Sequence, residues 1–250
     1  MHRPFHRTLQ FLLLAWALLL LAPAAQAERP VRLVLSSGVL APYSTPERRG
    51  FLDLLVPAIF RELGLEAELL IYPTATERGI LNANEGVDDG LAMRVAGLER
   101  QYPNLVRVPE PIAVNDFVAF STRHRFATPG WDSLRPYTVG YILGWKVFEQ
   151  HVPTARDRTL VRDADQLFTL LARDRIDVVL YERWQGLART RALGLDVAVM
   201  EPPLVRTPMY IYLHQRHAAL VPRVARALRQ LKQNGSYARI HDATLGKIRP

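Results

Sequence analysis

The stretches that decide the fold are VPEPIAVNDFVAFST, residues 108–122, and MEPPLVRTPMYIYLH, residues 200–214. Each has a Glu-Pro pair near its start and an apolar, aromatic-rich run after it, Phe117 to Phe120 in the first and Met209 to Tyr212 in the second. Proline lacks a backbone donor and restrains the residue before it, so the Glu-Pro pairs predict extended connectors. The β-branched and aromatic runs predict strands.

The likeness of these two stretches bears on the domain organisation of the 250-residue chain. If both are crossings between the same two bodies, one lobe is inserted into another and a cleft lies between them. We then expect lobe 1 to be discontinuous, residues 28–110 and 208–250, and lobe 2 to span residues 111–207 with the hinge crossings. The alternative is a pair of unrelated edge strands.

The first 27 residues have the pattern of a secretory signal peptide. Arg3 and Arg7 precede an unbroken apolar run from Phe11 to Ala22, and Ala25-Gln26-Ala27 fits a small-x-small cleavage site. The alternative is a membrane anchor, but a span needs about 20 apolar residues, whereas Pro23 ends this run after 12. We therefore expect cleavage after Ala27 and a periplasmic mature protein.

The composition is that of a globular protein, with 49% hydrophobic and 22% charged residues. The absence of cysteine excludes structural disulfides, thiolate metal sites and a catalytic thiol. Without residues 1–27 the chain keeps 30 basic and 24 acidic residues, and the arginines are scattered without a basic run. We therefore expect no nucleic-acid partner.

The order of predicted elements indicates parallel α/β structure in both halves of the chain. The first half reads as strand Val31–Ser36, a helix between Gly50 and Gly64, strand Glu66–Tyr72, helix Thr76–Asn84 and strand Val87–Met93. The same rhythm restarts after the first crossing, with strand Tyr137–Tyr141, helix Gly144–His151 and a buried strand at Ile176–Leu180. In such sheets, ligands bind beyond the carboxyl ends of the strands.

Four segments, taken in order, resemble the periplasmic solute-binding proteins of family 3, the amino-acid-binding type. They are Pro42-Tyr43-Ser44 before a glycine and a helix, VGYILGW at 139–145, RIDVVLYE at 175–182 and LKQNGSYARI at 231–240. The similarity covers nearly all of the mature chain. It implies a Venus-flytrap fold that encloses a small polar solute when the lobes close.

In lobe 1, the resemblance places Tyr43 where the family packs an aromatic ring on the ligand. The family's carboxylate-binding arginine matches Arg100 by spacing, although the preceding Thr and Pro are missing. Arg94, at the carboxyl end of the third predicted strand, is an equally good candidate, because a guanidinium grips a carboxylate with two hydrogen bonds. Thr74 and Thr76 are candidate hydroxyl donors, or simply helix caps.

In lobe 2, the resemblance places Glu182 where the family has an aspartate that meets the ligand ammonium. The longer side chain leaves open a smaller ligand, or an ion pair with Arg183. Gly144 and Trp145 precede a predicted helix, whose free backbone donors suit an anionic group. Trp145 is otherwise a residue of the core or the rim.

These observations predict a non-catalytic periplasmic protein that binds an amino acid or a similar small polar solute. By resemblance, its partner is an inner-membrane ABC transporter; we expect a monomer without cofactor or metal. No GxSxG, HExxH or P-loop motif is present. Two alternatives stay open: a ligand-sensing module, and an enzyme of the cyclohexadienyl dehydratase type on the same fold, with Glu182 as general acid.

Overall fold

The computed structural model describes residues 32–72, 76–152 and 157–248, with the side chain of Thr76 left out. The predicted signal peptide, residues 1–27, and Thr74 lie outside these ranges.

The described residues form ten strands and seven α-helices. The strands are β1 (Arg32–Ser37), β2 (Glu66–Ile71), β3 (Gly90–Val95), β4 (Leu105–Arg107), β5 (Ala113–Ser121), β6 (Thr138–Ile142), β7 (Asp157–Val161), β8 (Val178–Glu182), β9 (Ala198–Val199) and β10 (Val205–His214). The helices are α1 (Phe51–Arg61), α2 (Thr76–Asn84), α3 (Lys146–Glu149), α4 (Ala164–Ala172), α5 (Arg183–Ala192), α6 (Val221–Gln233) and α7 (Ser236–Ala243). Short 3₁₀ turns include Leu98–Arg100 and Trp131–Leu134.

Two sets of parallel strands are joined by the crossings. β1 pairs in parallel with β2 and β3, and β6 pairs in parallel with β7 and β8. The crossing strands β5 and β10 are antiparallel to each other, and they continue into opposite halves: β10 pairs with β3, and β5 pairs with β8. The hydrogen-bonded path β2-β1-β3-β10-β5-β8-β6-β7 is therefore continuous.

The sheet runs without a break through both lobes, and the lobes are distinguished by their separate apolar clusters. One apolar cluster is built from β1, α1, β2, β3, α6 and the lobe 1 end of β10. Two further clusters are built from the segment between the crossings and include Phe120, Phe168 and Leu180. Trp184 is an exception, because it packs against both the first and the second of these clusters.

Helix α1 begins where local chemistry favours a start. The Asp53 carboxylate accepts hydrogen bonds from the backbone N–H groups of Gly50 and Thr45, each at 2.8 Å. An acidic side chain in the first turn also suits the helix dipole. Pro57 lies inside this helix and does not delay its start.

Gly186 allows helix α5 to lie close to the crossing strand β5. A Cβ atom at Gly186 would be 2.3 Å from the ring of Phe120, which is fully buried. Close packing of α5 fixes the position of its first turn. That turn follows Glu182 at the end of β8.

Candidate ligand-binding cleft

The two crossing strands, β5 and β10, place a pair of neutral polar residues on one face of the sheet. Thr207 is the antiparallel partner of Asn115, and Arg206 is the partner of Asp116. Opposed residues in an antiparallel pair lie on the same face, and successive residues alternate between faces. Asn115 and Thr207 therefore share one face of the crossing, and Asp116 and Arg206 share the other.

A cleft of about 310 Å³ opens on the face that carries Asn115 and Thr207. Four of its lining residues belong to the crossings or to β3: Val95, Asn115, Phe117 and Thr207. The other five come from lobe 2, at the start of α3 and around the start of α5: Trp145, Lys146, Val147, Glu182 and Gln185. Its volume is within the range of small-molecule sites.

Glu182 is the last residue of β8 and the N-cap of α5. Its Oε1 accepts from the Trp184 N–H at 3.2 Å, and its Oε2 accepts from the Gln185 N–H at 2.9 Å and from Gln185 Nε2 at 3.4 Å. The side chain is fully buried. Burial raises the pKa of the Glu182 carboxyl, and the hydrogen bonds from Gln185, Trp184 and Tyr43 offset part of that rise.

Tyr43 reaches Glu182 from lobe 1. Its phenol oxygen lies 2.9 Å from Glu182 Oε1 and 3.2 Å from Asn115 Oδ1. A phenol has one hydrogen, and the shorter distance assigns it to Glu182. Burial, and then the Glu182 charge, raises the pKa of Tyr43 well above its ordinary value, so the phenol stays protonated and donates.

An aromatic cluster forms the lobe 2 wall of the cleft. Trp145 stacks on Tyr181 with ring centroids 4.6 Å apart and on Phe148 at 5.8 Å. Phe117 meets the edge of both Trp145 and Phe148, at 6.1 and 5.6 Å. The wall is therefore held together by ring contacts among its own residues.

Ion pairs lie on the opposite face of the crossing. Arg183, the first residue of α5, makes two hydrogen bonds to Glu201, at 2.7 and 3.0 Å, and lies 3.4 Å from Asp116. Arg206 Nε is 3.0 Å from Asp116. Arg183 therefore pairs with Glu201 and Asp116, while Glu182 faces Tyr43.

The two candidate arginines differ in their surroundings. Arg94 is 8% exposed, its Nη1 donates to the Met93 carbonyl at 2.9 Å, and its Nε is buried without a partner among the described residues. Burial alone lowers the pKa of Arg94 to about 10. Arg100 is exposed in a 3₁₀ turn, with its guanidinium against Gly97.

Gly144 is placed beside the cleft, but its donor is already used. The predicted helix Gly144–His151 is only four residues long, Lys146–Glu149, and the Gly144 N–H donates to Glu149 Oε1 at 2.7 Å. Thr76 starts α2, and nothing is described of its side chain or of Thr74. Of the predicted residues, Trp145 and Glu182 line the cleft, Gly144 and Tyr43 lie beside these two, and Arg94 and Arg100 are not among the lining residues.

Sequence reasoning missed the neutral polar residues of the cleft, Asn115, Gln185 and Thr207, as well as Phe117 and Lys146. A signal for Asn115 was present, because an amide in the middle of an apolar strand needs a partner or a function. Gln185 lies three residues after Glu182, one helical turn away, and so projects from the same end of α5.

Comparisons with known proteins extend this description. No family model matches the chain. An uncharacterized protein of Shewanella oneidensis is 25% identical over 198 residues, which cover 75% of this chain and 73% of that protein. The GluR0 ligand-binding core in complex with L-glutamate has a TM-score of 0.70 and 15% identity, covering 88% of this chain and 99% of its own. The chain has the two-lobed fold of the periplasmic binding proteins.

Other proteins with this fold have different roles. The substrate-binding protein of an amino acid ABC transporter has a TM-score of 0.62 and 17% identity, covering 84% of this chain and 97% of its own. A histidine kinase sensor domain has a TM-score of 0.65 and 19% identity, covering 87% and 96%. An ancestral amino-acid-binding precursor of cyclohexadienyl dehydratase has a TM-score of 0.65 and 18% identity, covering 86% and 94%.

The described residues contain neither a candidate membrane span nor a candidate metal site. None of the helices in ranges 32–72, 76–152 and 157–248 has the length and apolar character needed to cross a bilayer. Within the same ranges, no three His, Asp or Glu side chains are grouped as a metal site would require.

Proposed function

We propose that the protein is a periplasmic solute-binding protein that encloses an amino acid or a similar small polar solute between its lobes. The observation that carries the proposal is the position of the cleft. It lies against the strands that cross between the lobes, and it has an aromatic wall, amide and hydroxyl groups and few charges. Small-molecule sites have this composition, with apolar walls and a few polar groups that fix orientation.

The proposed site contains predicted and newly found residues. Trp145 and Phe117 supply the wall, Asn115, Gln185 and Thr207 supply neutral hydrogen-bonding groups, and Glu182 fixes the start of α5 beside them. Bending at β5 and β10 would bring the lobes together, since two crossing strands are a natural hinge. Delivery of the solute to an ABC transporter, and a monomeric state, belong to the same proposal.

A dehydratase of the cyclohexadienyl type is the second candidate. Glu182 lines the cleft, and burial raises the pKa of its carboxyl, which is the direction that favours a general acid. The precursor of such an enzyme shares the fold. Formation of product from prephenate or arogenate by the purified protein, lost in Glu182→Gln, would decide for the enzyme.

A ligand-sensing module is the remaining alternative. It predicts that a kinase, fused to this protein or acting as its partner, changes its activity when the solute binds.

A thermal-shift screen of small polar solutes tests the binding proposal. We expect one or more solutes, at about 100 times Kd, to raise the melting temperature by roughly 5–10 °C, because such saturation adds about 2.7 kcal/mol of stability. Thr207→Trp should fill the cleft and remove the shift while leaving the melting temperature without solute nearly unchanged. The same shift in Thr207→Trp would place binding elsewhere, and no shift across amino acids, organic acids and sugars would contradict solute capture.

A further inference from the structure

The cation and the carboxylate that line the cleft differ in how easily a ligand can bind them. This difference indicates the class of solute, an inference that rests on the proposed function. Among the described lining residues, Glu182 is the carboxylate and Lys146 is the cation. An amino acid needs a free carboxylate for its ammonium group as well as a cation or donors for its own carboxylate. The question is which of these partners is free.

The Glu182 carboxylate has no acceptor capacity left. Its Oε1 accepts from Tyr43 Oη and the Trp184 N–H, and its Oε2 accepts from the Gln185 N–H and Gln185 Nε2. A carboxylate offers about four lone-pair sites. An ammonium group could use this carboxylate only by displacing Tyr43, a backbone N–H at the start of α5 or the Gln185 side-chain amide, whose contact of 3.4 Å is the longest of the four. Displacing the phenol or a backbone N–H would leave that donor unpaired, and moving the amide would still leave a carboxylate that is fully buried.

The cation is easier to engage. The Lys146 side chain is 75% exposed and pairs with Glu149, three residues on, at 2.7 Å. Exposed pairs of this kind contribute little to stability, so the ammonium of Lys146 can turn to a ligand at small cost. Arg94 is not among the lining residues; it precedes Val95 in β3 and, because successive strand residues alternate between faces, lies on the opposite face of the strand.

We infer that the cleft takes a small carboxylate that has no ammonium group, with its apolar part against Trp145 and Phe117. Enclosing an ammonium group without a free carboxylate is costly, whereas a ligand carboxylate meets Lys146 and the Asn115 amide. Simple, 2-oxo and hydroxy acids belong to this class, and their amino analogues do not.

Calorimetric titration with matched pairs tests the inference. The pairs are 3-phenylpropanoate and L-phenylalanine, 4-methylpentanoate and L-leucine, and glutarate and L-glutamate. We expect at least one acid to bind at least about tenfold more tightly than its amino analogue, because the amino group buries a charge without a partner. An amino acid that binds more tightly than its acid would overturn the inference, and so would the failure of all three acids to bind.

A second arm uses Tyr43→Phe, which removes one donor from Glu182 and returns a lone pair to Oε1. The ratio of affinities should shift toward the amino acid by roughly fivefold, since the ligand ammonium gains a charge-assisted hydrogen bond to the freed lone pair. An unchanged ratio would show that Glu182 does not decide ligand class. A thermal shift by sugars or amino acids, with none by a carboxylic acid that lacks an amino group, would overturn this inference while leaving solute capture intact.

Discussion

Glu182→Ala is expected to lower the free energy of unfolding by roughly 3–5 kcal/mol, because three donors lose this acceptor at a cost of about 1–3 kcal/mol for each one left unpaired, and only the Tyr43 phenol keeps a second acceptor, Asn115 Oδ1 at 3.2 Å. These donors are the N–H groups of Trp184 and Gln185 and the phenol of Tyr43. The substitution also removes the N-cap of α5. Urea unfolding followed by far-UV circular dichroism measures the change.

Two further variants separate the contributions at this position. Glu182→Gln keeps one oxygen acceptor, so its loss of stability should be smaller than that of the alanine variant. Tyr43→Phe removes a donor together with its hydrogen bond and should cost about 1–2 kcal/mol. If Glu182→Ala unfolded at the same urea concentration as the parent, the carboxylate would not be what holds α5 to lobe 1.

Arg94→Met is expected to raise stability by about 1–3 kcal/mol, since Arg94 has no carboxylate partner among the described residues, and a buried guanidinium without one costs free energy that an apolar side chain of similar length does not. The same change tests the role that the sequence assigned to Arg94, because loss of a charge-assisted hydrogen bond to a ligand carboxylate would weaken solute binding by at least about tenfold. A gain in stability with a loss of function is typical of groups kept for binding. Urea unfolding and titration with a solute found by thermal shift measure both effects.

Arg100→Met is the matched control, because Arg100 is the other candidate and is exposed. It should change stability by less than about 0.5 kcal/mol and leave binding unaltered. A loss of stability in Arg94→Met would show that the arginine is structural. A loss of binding in Arg100→Met alone would assign the ligand carboxylate to Arg100.

Much of the fold could be predicted from the sequence because the patterns that mark its strands and helices are local. The Glu-Pro pairs and the aromatic runs after them marked both crossings, and β1, β2 and α2 lie within a residue or two of their predicted bounds. The crossing strands are longer than predicted, Ala113–Ser121 and Val205–His214, because residues 113–117 and 205–209 are held by pairing with each other. Such pairing joins residues about 90 positions apart, which no local pattern reports.

Only part of the candidate site could be predicted from the sequence. Glu182 was predicted from the family resemblance, which places an acid just past this buried strand, but its hydrogen bond to Tyr43 joins residues that are 139 positions apart. The polar pair of Asn115 and Thr207 depends on the register of the crossings. A register moved by one residue would turn both side chains to the opposite face, so the pair could be found only from the structure. The predicted lobe boundaries, residues 28–110, 111–207 and 208–250, stay a prediction.

Native mass spectrometry of the protein, purified without denaturation from cells, tests the central claim most directly, namely that the cleft between the lobes holds a small solute. The account predicts an additional mass of one small molecule on the parent protein, absent from Thr207→Trp and identifiable after unfolding. A parent protein that carries no small molecule and gains none from a periplasmic extract, or a mass retained equally by Thr207→Trp, would contradict it.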